Sequence, residues 1–174
     1  MARTLLLTGR PGVGKTTVII ELTKLLGERA GGFYTEEIRQ HGARQGFRLV
    51  GLSGESGILA HVRYTGRRYP RVGRYGVDVA ALDRVGVRAV ERALTTRQIV
   101  IIDEIGKMEL YSEAFKSAVL KAMASDMPIV ATVLSAPHSW VDVLKAKSDV
   151  TLRQVTVENR GQMPRRVMDW LKSD

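Results

Sequence analysis

The chain has 174 residues, 27 Lys plus Arg against 18 Asp plus Glu, a net charge of +9, a pI of about 10.2 and no cysteine. A chain this long buries roughly 70% of its unfolded surface unaided, so one domain over residues 1–174 is expected, and the lack of Cys excludes disulfide frameworks, zinc ribbons and thiol catalysis and suits a reducing cytoplasm. No apolar run approaches the ~18 residues of a membrane span, so no membrane partner is expected; the basic surface favours an anionic partner.

Strand-length apolar runs alternate with helically spaced ones along the chain, which predicts an α/β three-layer sandwich around a mostly parallel sheet. Arg3 to Thr8 reads as the first strand, and Lys15 to Leu26 as a helix with Val18, Leu22, Leu25 and Leu26 on one stripe. Residues 31 to 62 hold three short runs separated by Gly-containing turns, the pattern of strands joined by hairpins. A helix from Asp78 to Leu94 follows, with Asp78 as its N-cap. Ile99-Val100-Ile101-Ile102 is apolar on both faces, as a central parallel strand requires. Ser112 caps a helix carrying Phe115, Ala118, Val119 and Ala122, Pro128 to Leu134 reads as another buried strand, and Pro137 opens a short helix with Trp140 and Leu144. A strand over 150–157 and a helix over 159–172, with Met163, Val167 and Leu171 inward, complete the chain.

Gly9-Arg10-Pro11-Gly12-Val13-Gly14-Lys15-Thr16 fits GxxxxGK[ST] and lies between a strand and an amphipathic helix, where such a loop can cradle a phosphate. The glycines let successive backbone N–H groups face the anion, and the helix N-terminus adds its positive dipole end. Lys15 supplies charge for the β and γ phosphates, Thr16 a hydroxyl for Mg²⁺, and Thr17 a contact to the α phosphate. Mg²⁺ also needs a carboxylate, and Asp103, at the end of a hydrophobic strand, supplies it. Glu104 follows directly and points elsewhere, so it is assigned as the base that positions water at the γ phosphate. Glu109 reads as support for the turn.

Ile101-Ile102-Asp103-Glu104-Ile105-Gly106-Lys107-Met108-Glu109-Leu110 resembles the cancer-related nucleoside triphosphatase family of archaea, bacteria and animals. Gly32 to Glu37, Arg44 to Phe47 and Arg74 to Asp78 add to the resemblance, which runs across most of the chain. It implies a P-loop fold of the class with an added central strand and a catalytic Glu, and Mg²⁺-dependent hydrolysis of several nucleoside triphosphates, ATP and GTP included. Nucleotide binding is implied on the phosphate loop and on Ile99, Val100, Ile101, Ile102, Asp103, Glu104, Ile105 and Gly106.

Residues 61 to 76 hold Arg63, Arg67, Arg68, Arg71 and Arg74 interleaved with Tyr64, Tyr69 and Tyr75. A lid over phosphates, a surface for single-stranded nucleic acid and a solvated loop are all consistent with that pattern, with Arg74 the candidate arginine finger. Lys107 reaches either a phosphate or a neighbouring Glu. Thr132 either senses the γ phosphate or merely finishes its strand. Glu158, Asn159 and Arg160 are expected to contact the base, although Asn159 would also serve as a helix N-cap. His138, with no second His nearby, reads as structural. The expected protein is a cytoplasmic, monomeric hydrolase. A small nucleotide or polynucleotide kinase and a nucleic-acid-binding switch are the alternatives, nucleic acid being the less favoured partner.

Overall fold

The computed structural model describes residues 3–173. Strand β1 (Thr4–Thr8) leads through the phosphate loop into helix α1 (Lys15–Leu26). Strands β2 (Ala30–Gln40), β3 (Ala43–Gly51) and β4 (Ser56–His61) follow, then a small hairpin of β5 (Arg71–Val72) and β6 (Tyr75–Val77). A continuous helical stretch comprises α2 (Val79–Ala81), a π-helical segment (Leu82–Val87) and α3 (Arg88–Thr96). The chain ends with β7 (Ile99–Ile105), α4 (Glu113–Met123), β8 (Ile129–Val133), α5 (Ser139–Lys145), β9 (Val150–Gln154) and α6 (Met163–Lys172).

Among the described residues nine strands form one sheet in the order β5-β6-β4-β3-β2-β7-β8-β1-β9. The sheet is mixed. From β2 to β9 neighbouring strands are parallel, and from β2 outward β3, β4, β6 and β5 add as an antiparallel meander. Strand β8 lies between the phosphate-loop strand β1 and the carboxylate strand β7.

Alternation along β1 divides the interior. Leu5 and Leu7 face one layer with Val18, Ile19 and Leu22 of α1 and Val167 of α6. Leu6 faces the other with Phe33, Val90, Ile102, Phe115 and Val141. A strand residue points to the face opposite its neighbours, so a run apolar throughout is covered on both sides. Leu25 departs from the expected stripe: it is 59% exposed, and Ile19 takes its place in the core. The arginine-rich segment also departs from an irregular loop, because His61 pairs with Gly76 and Arg71 with Gly76, making β6 a strand of the sheet. Helix α6 starts at Met163 rather than 159, since the Asn159 carboxamide closes a turn by accepting from Thr156 N–H at 2.8 Å and donating to the Gln154 carbonyl at 2.9 Å.

Candidate active site

The carboxyl ends of β1, β7 and β8 carry the site, as expected for a parallel α/β sheet. Gly12 and Gly14 adopt φ of 79° and 111°, a left-handed conformation that lets the loop turn its amides inward. The Lys15 ammonium is buried and donates to the Gly9 carbonyl at 2.6 Å and the Arg10 carbonyl at 3.3 Å. It folds back onto the loop's own carbonyls.

Strand β7 slips register against β8 at the end of its apolar run. Ile102 pairs with Ala131 and Ile105 with Val133, so three residues of β7 span two of β8. Such a bulge re-aims side chains. Asp103 and Glu104, joined by a cis peptide bond, lie within it. Asp103 is fully buried. Its carboxylate accepts from the Thr132 hydroxyl at 2.6 Å, from the Thr16 hydroxyl at 3.0 Å, and from the Thr35 N–H at 3.2 Å and hydroxyl at 3.4 Å. Burial raises its pKa, and these hydrogen bonds act against that rise.

The Glu104 carboxyl is also raised, by burial first and then by the Asp103 charge, with Lys15 opposing. Glu109 lies beside it across Gly106: a Cβ on Gly106 would press on both carboxylates. The Glu109 carboxyl is buried and held well above the usual range, by burial first and then by Glu104. Two carboxylates this close in a dry setting disfavour double ionisation.

The oxygens at the loop suit Mg²⁺. The Thr16 hydroxyl donates its hydrogen bond to Asp103, which leaves its oxygen lone pairs free for a hard cation. Among the described residues no group of three or more His, Cys, Asp or Glu could hold a metal alone.

Beside the loop a cavity of about 340 Å³ is lined by Gly14, Thr17, Val18, Glu21, Arg160 and Gly161. Arg160 donates to the Val13 carbonyl at 3.2 Å, and its stem lies over Gly14. Arg160 thus reaches the phosphate loop, whereas the Asn159 side chain is taken up by its own turn.

A profile of the NTPase family matches residues 4–168. The chain belongs to that family. The nucleoside-triphosphatase THEP1 of Thermotoga sp. (strain RQ2) is 44% identical over 168 residues, 97% of this chain and 95% of the relative. The crystal structure of THEP1 from Aquifex aeolicus superposes with a TM-score of 0.88 at 34% identity, over 98% of this chain and 99% of that one. The solution structure of a human cancer-related nucleoside triphosphatase gives 0.85 at 36% identity, over 99% of each chain.

The residues expected of an NTPase from the loop and strand motifs come together as Lys15, Thr16, Asp103 and Glu104. Arg74 stands apart. Its guanidinium donates to the Arg44 carbonyl and lies 5.4 Å from the Tyr75 ring, and its own carbonyl accepts from Arg71 at 2.7 Å. The hairpin meets the turn after β7 at the Tyr111 hydroxyl, which donates to the Arg71 carbonyl at 3.3 Å. Lys107 is exposed. Thr35 carried no role in the sequence, and Thr132 does more than finish a strand: both hold Asp103.

Proposed function

We infer that this protein is a nucleoside-triphosphatase. Membership of the NTPase family and relatives named nucleoside-triphosphatase support the activity. The observation that carries the mechanism is the hydrogen-bonded Thr16–Asp103 pair with Glu104 next in the chain, set against the phosphate loop.

The triphosphate lies along the loop, its oxygens accepting from the loop amides at the N-terminus of α1. Lys15 exchanges the Gly9 and Arg10 carbonyls for the β and γ phosphate oxygens. Thr16 and Asp103 would hold Mg²⁺, which when bound neutralises phosphate charge. Glu104 orients a water in line with the bond between Pγ and the bridging oxygen. The water oxygen bonds to Pγ as that bond breaks, Glu104 takes the water proton, and nucleoside diphosphate and phosphate leave. Arg74 is our candidate to meet charge from the other side, after releasing the Arg44 carbonyl. The ribose and base of ATP, GTP and other nucleotides lie in the cavity under Arg160, where Thr17 and Glu21 are the other polar side chains of the lining. Position of β8 between β1 and β7 supports assigning the fold to the added-strand class with a catalytic Glu. We assign the whole chain to one domain acting as a monomer in the cytoplasm.

Glu104→Gln tests this reading. It removes the proton acceptor and keeps the shape, so turnover should fall by about 10²–10⁴ while affinity for the Mg²⁺-nucleotide stays within a few-fold of the parent. Phosphate release from ATP and GTP, with equilibrium binding measured alongside, provides the check. Unchanged turnover would remove Glu104 as the base. A phosphorylated acceptor in place of free phosphate would make the protein a kinase, and activity that appears only with polynucleotide would make it a nucleic-acid switch.

A further inference from the structure

On the face of the sheet opposite α1, the helical stretch after β6 carries Arg84, Arg88 and Arg92 at four-residue spacing. With Glu55 and Ser56 of the β3–β4 turn they line a cavity of about 300 Å³. Gly51 pairs with Phe33, and Phe33 with Ile102, so the turn after Gly51 starts level with the middle of β7. In the sheet β3 is four places from the phosphate-loop strand β1, with β2, β7 and β8 between them.

Several observations give this cavity a chemistry. Arg92 already holds an oxyanion, the Glu55 carboxylate, in an ion pair. Arg84 and Arg88 have no acidic partner among the described residues, although Asp83 and Glu91 share their helix. Cations four residues apart on a helix repel one another, and a multivalent anion placed between them relieves that repulsion. The backbone beneath is anchored. Leu82–Val87 is π-helical, a geometry that recurs at functional sites, and its Gly86 packs on the core, where a Cβ would meet the Phe33 ring at 3.3 Å.

We propose that this cavity is a second anion site that takes the phosphoryl end of a small phosphorylated anion. Arg84 and Arg88 present planar forks that match phosphoryl oxygens in bidentate fashion. The Ser56 hydroxyl donates from the rim, and Arg92 joins when Glu55 gives way. A hollow at the small end of the ligand-pocket range suits a compact anion rather than a polymer, which needs an open track.

Calorimetric titration of inorganic pyrophosphate, without divalent cations, into the full chain carrying Lys15→Ala tests the site with the phosphate loop weakened. That protein should bind one pyrophosphate, and adding Arg84→Ala with Arg88→Ala should weaken binding by at least tenfold. Arg84→Lys with Arg88→Lys, which keeps the charge and loses the fork, should fall between. Glu55→Gln should tighten binding several-fold, because it frees Arg92. A nucleoside monophosphate that binds more tightly than pyrophosphate, and is lost with the same arginines, would identify a nucleotide as the source; weaker binding would identify an inorganic anion. Absence of binding at millimolar pyrophosphate overturns the proposal. So does binding that the arginine substitutions leave unchanged in a protein whose circular dichroism matches the parent, because the anion would then lie elsewhere.

Discussion

Asp103 is fully buried, and three threonines from three separate elements supply its donors: Thr16 at the start of α1, Thr35 in β2 and Thr132 in β8. None is near Asp103 in sequence, so only the loop hydroxyl was legible, through its motif. Thr132→Val removes the shortest of these bonds without changing shape much, leaving the carboxylate short of a donor at a cost of about 1–3 kcal/mol. Thr132→Ser keeps the hydroxyl and should recover most of that loss in urea unfolding. Glu109 gives a pH-dependent counterpart. Its folded carboxyl is raised above the unfolded value, so it contributes stability below the ordinary glutamate range and loses that contribution as pH rises through the folded value. Glu109→Gln stays neutral throughout. Its urea midpoint should therefore exceed the parent's at about pH 8 and converge with it below about pH 4.

Elements with local signals were legible, and those set by long-range pairing were not. Asp78 and Ser112 stand one residue ahead of their helices and accept from Ala81 N–H at 3.0 Å and Phe115 N–H at 2.9 Å, as their side chains and position predict. The apolar run Ile99–Ile102 of β7 was legible as a strand, but its extension to Ile105 and the register slip against β8, within which Asp103 and Glu104 lie, have no local signature. The π-helical segment was equally hidden, and its Gly86 packs against Phe33 of the distant strand β2. Shortness concealed β5 and β6, of two and three residues, and β6 joins the sheet by pairing with β4. Ser112 also donates to Asp83 of the π-helical segment, so one hydroxyl both starts α4 and ties it to the neighbouring helix. Ser112→Ala removes both functions and should destabilise by about 1–2 kcal/mol, more than Asp83→Asn, which keeps the cap. Paired denaturation curves would separate the two contributions.

Strand β2 joins the two halves of the molecule. Ala30 to Phe33 run parallel to β7, and Phe33 to Gln40 run antiparallel to β3, so the catalytic half and the meander share one strand. Gly32 sits at the joint with φ of 110°, where any Cβ would collide with the Ile101 carbonyl. The interior is shared as well. One apolar cluster contains Leu6 and Ile102 from the parallel strands, Leu49, Leu59 and Val77 from the meander, and Phe115 from α4. Phe33 stands among them, with its ring centroid 6.2 Å from that of Phe115 in an edge-on contact. Because neither half keeps a separate core on this face, the meander should not melt ahead of the catalytic strands. Calorimetry should show a single transition whose calorimetric and van't Hoff enthalpies agree. Phe33→Ala opens a cavity at the joint and should cost about 3–5 kcal/mol while leaving one transition, at a lower temperature. Two resolved transitions in the parent would mean that β3 to β6 form an independent unit, and β2 would then be a hinge between bodies rather than the centre of one.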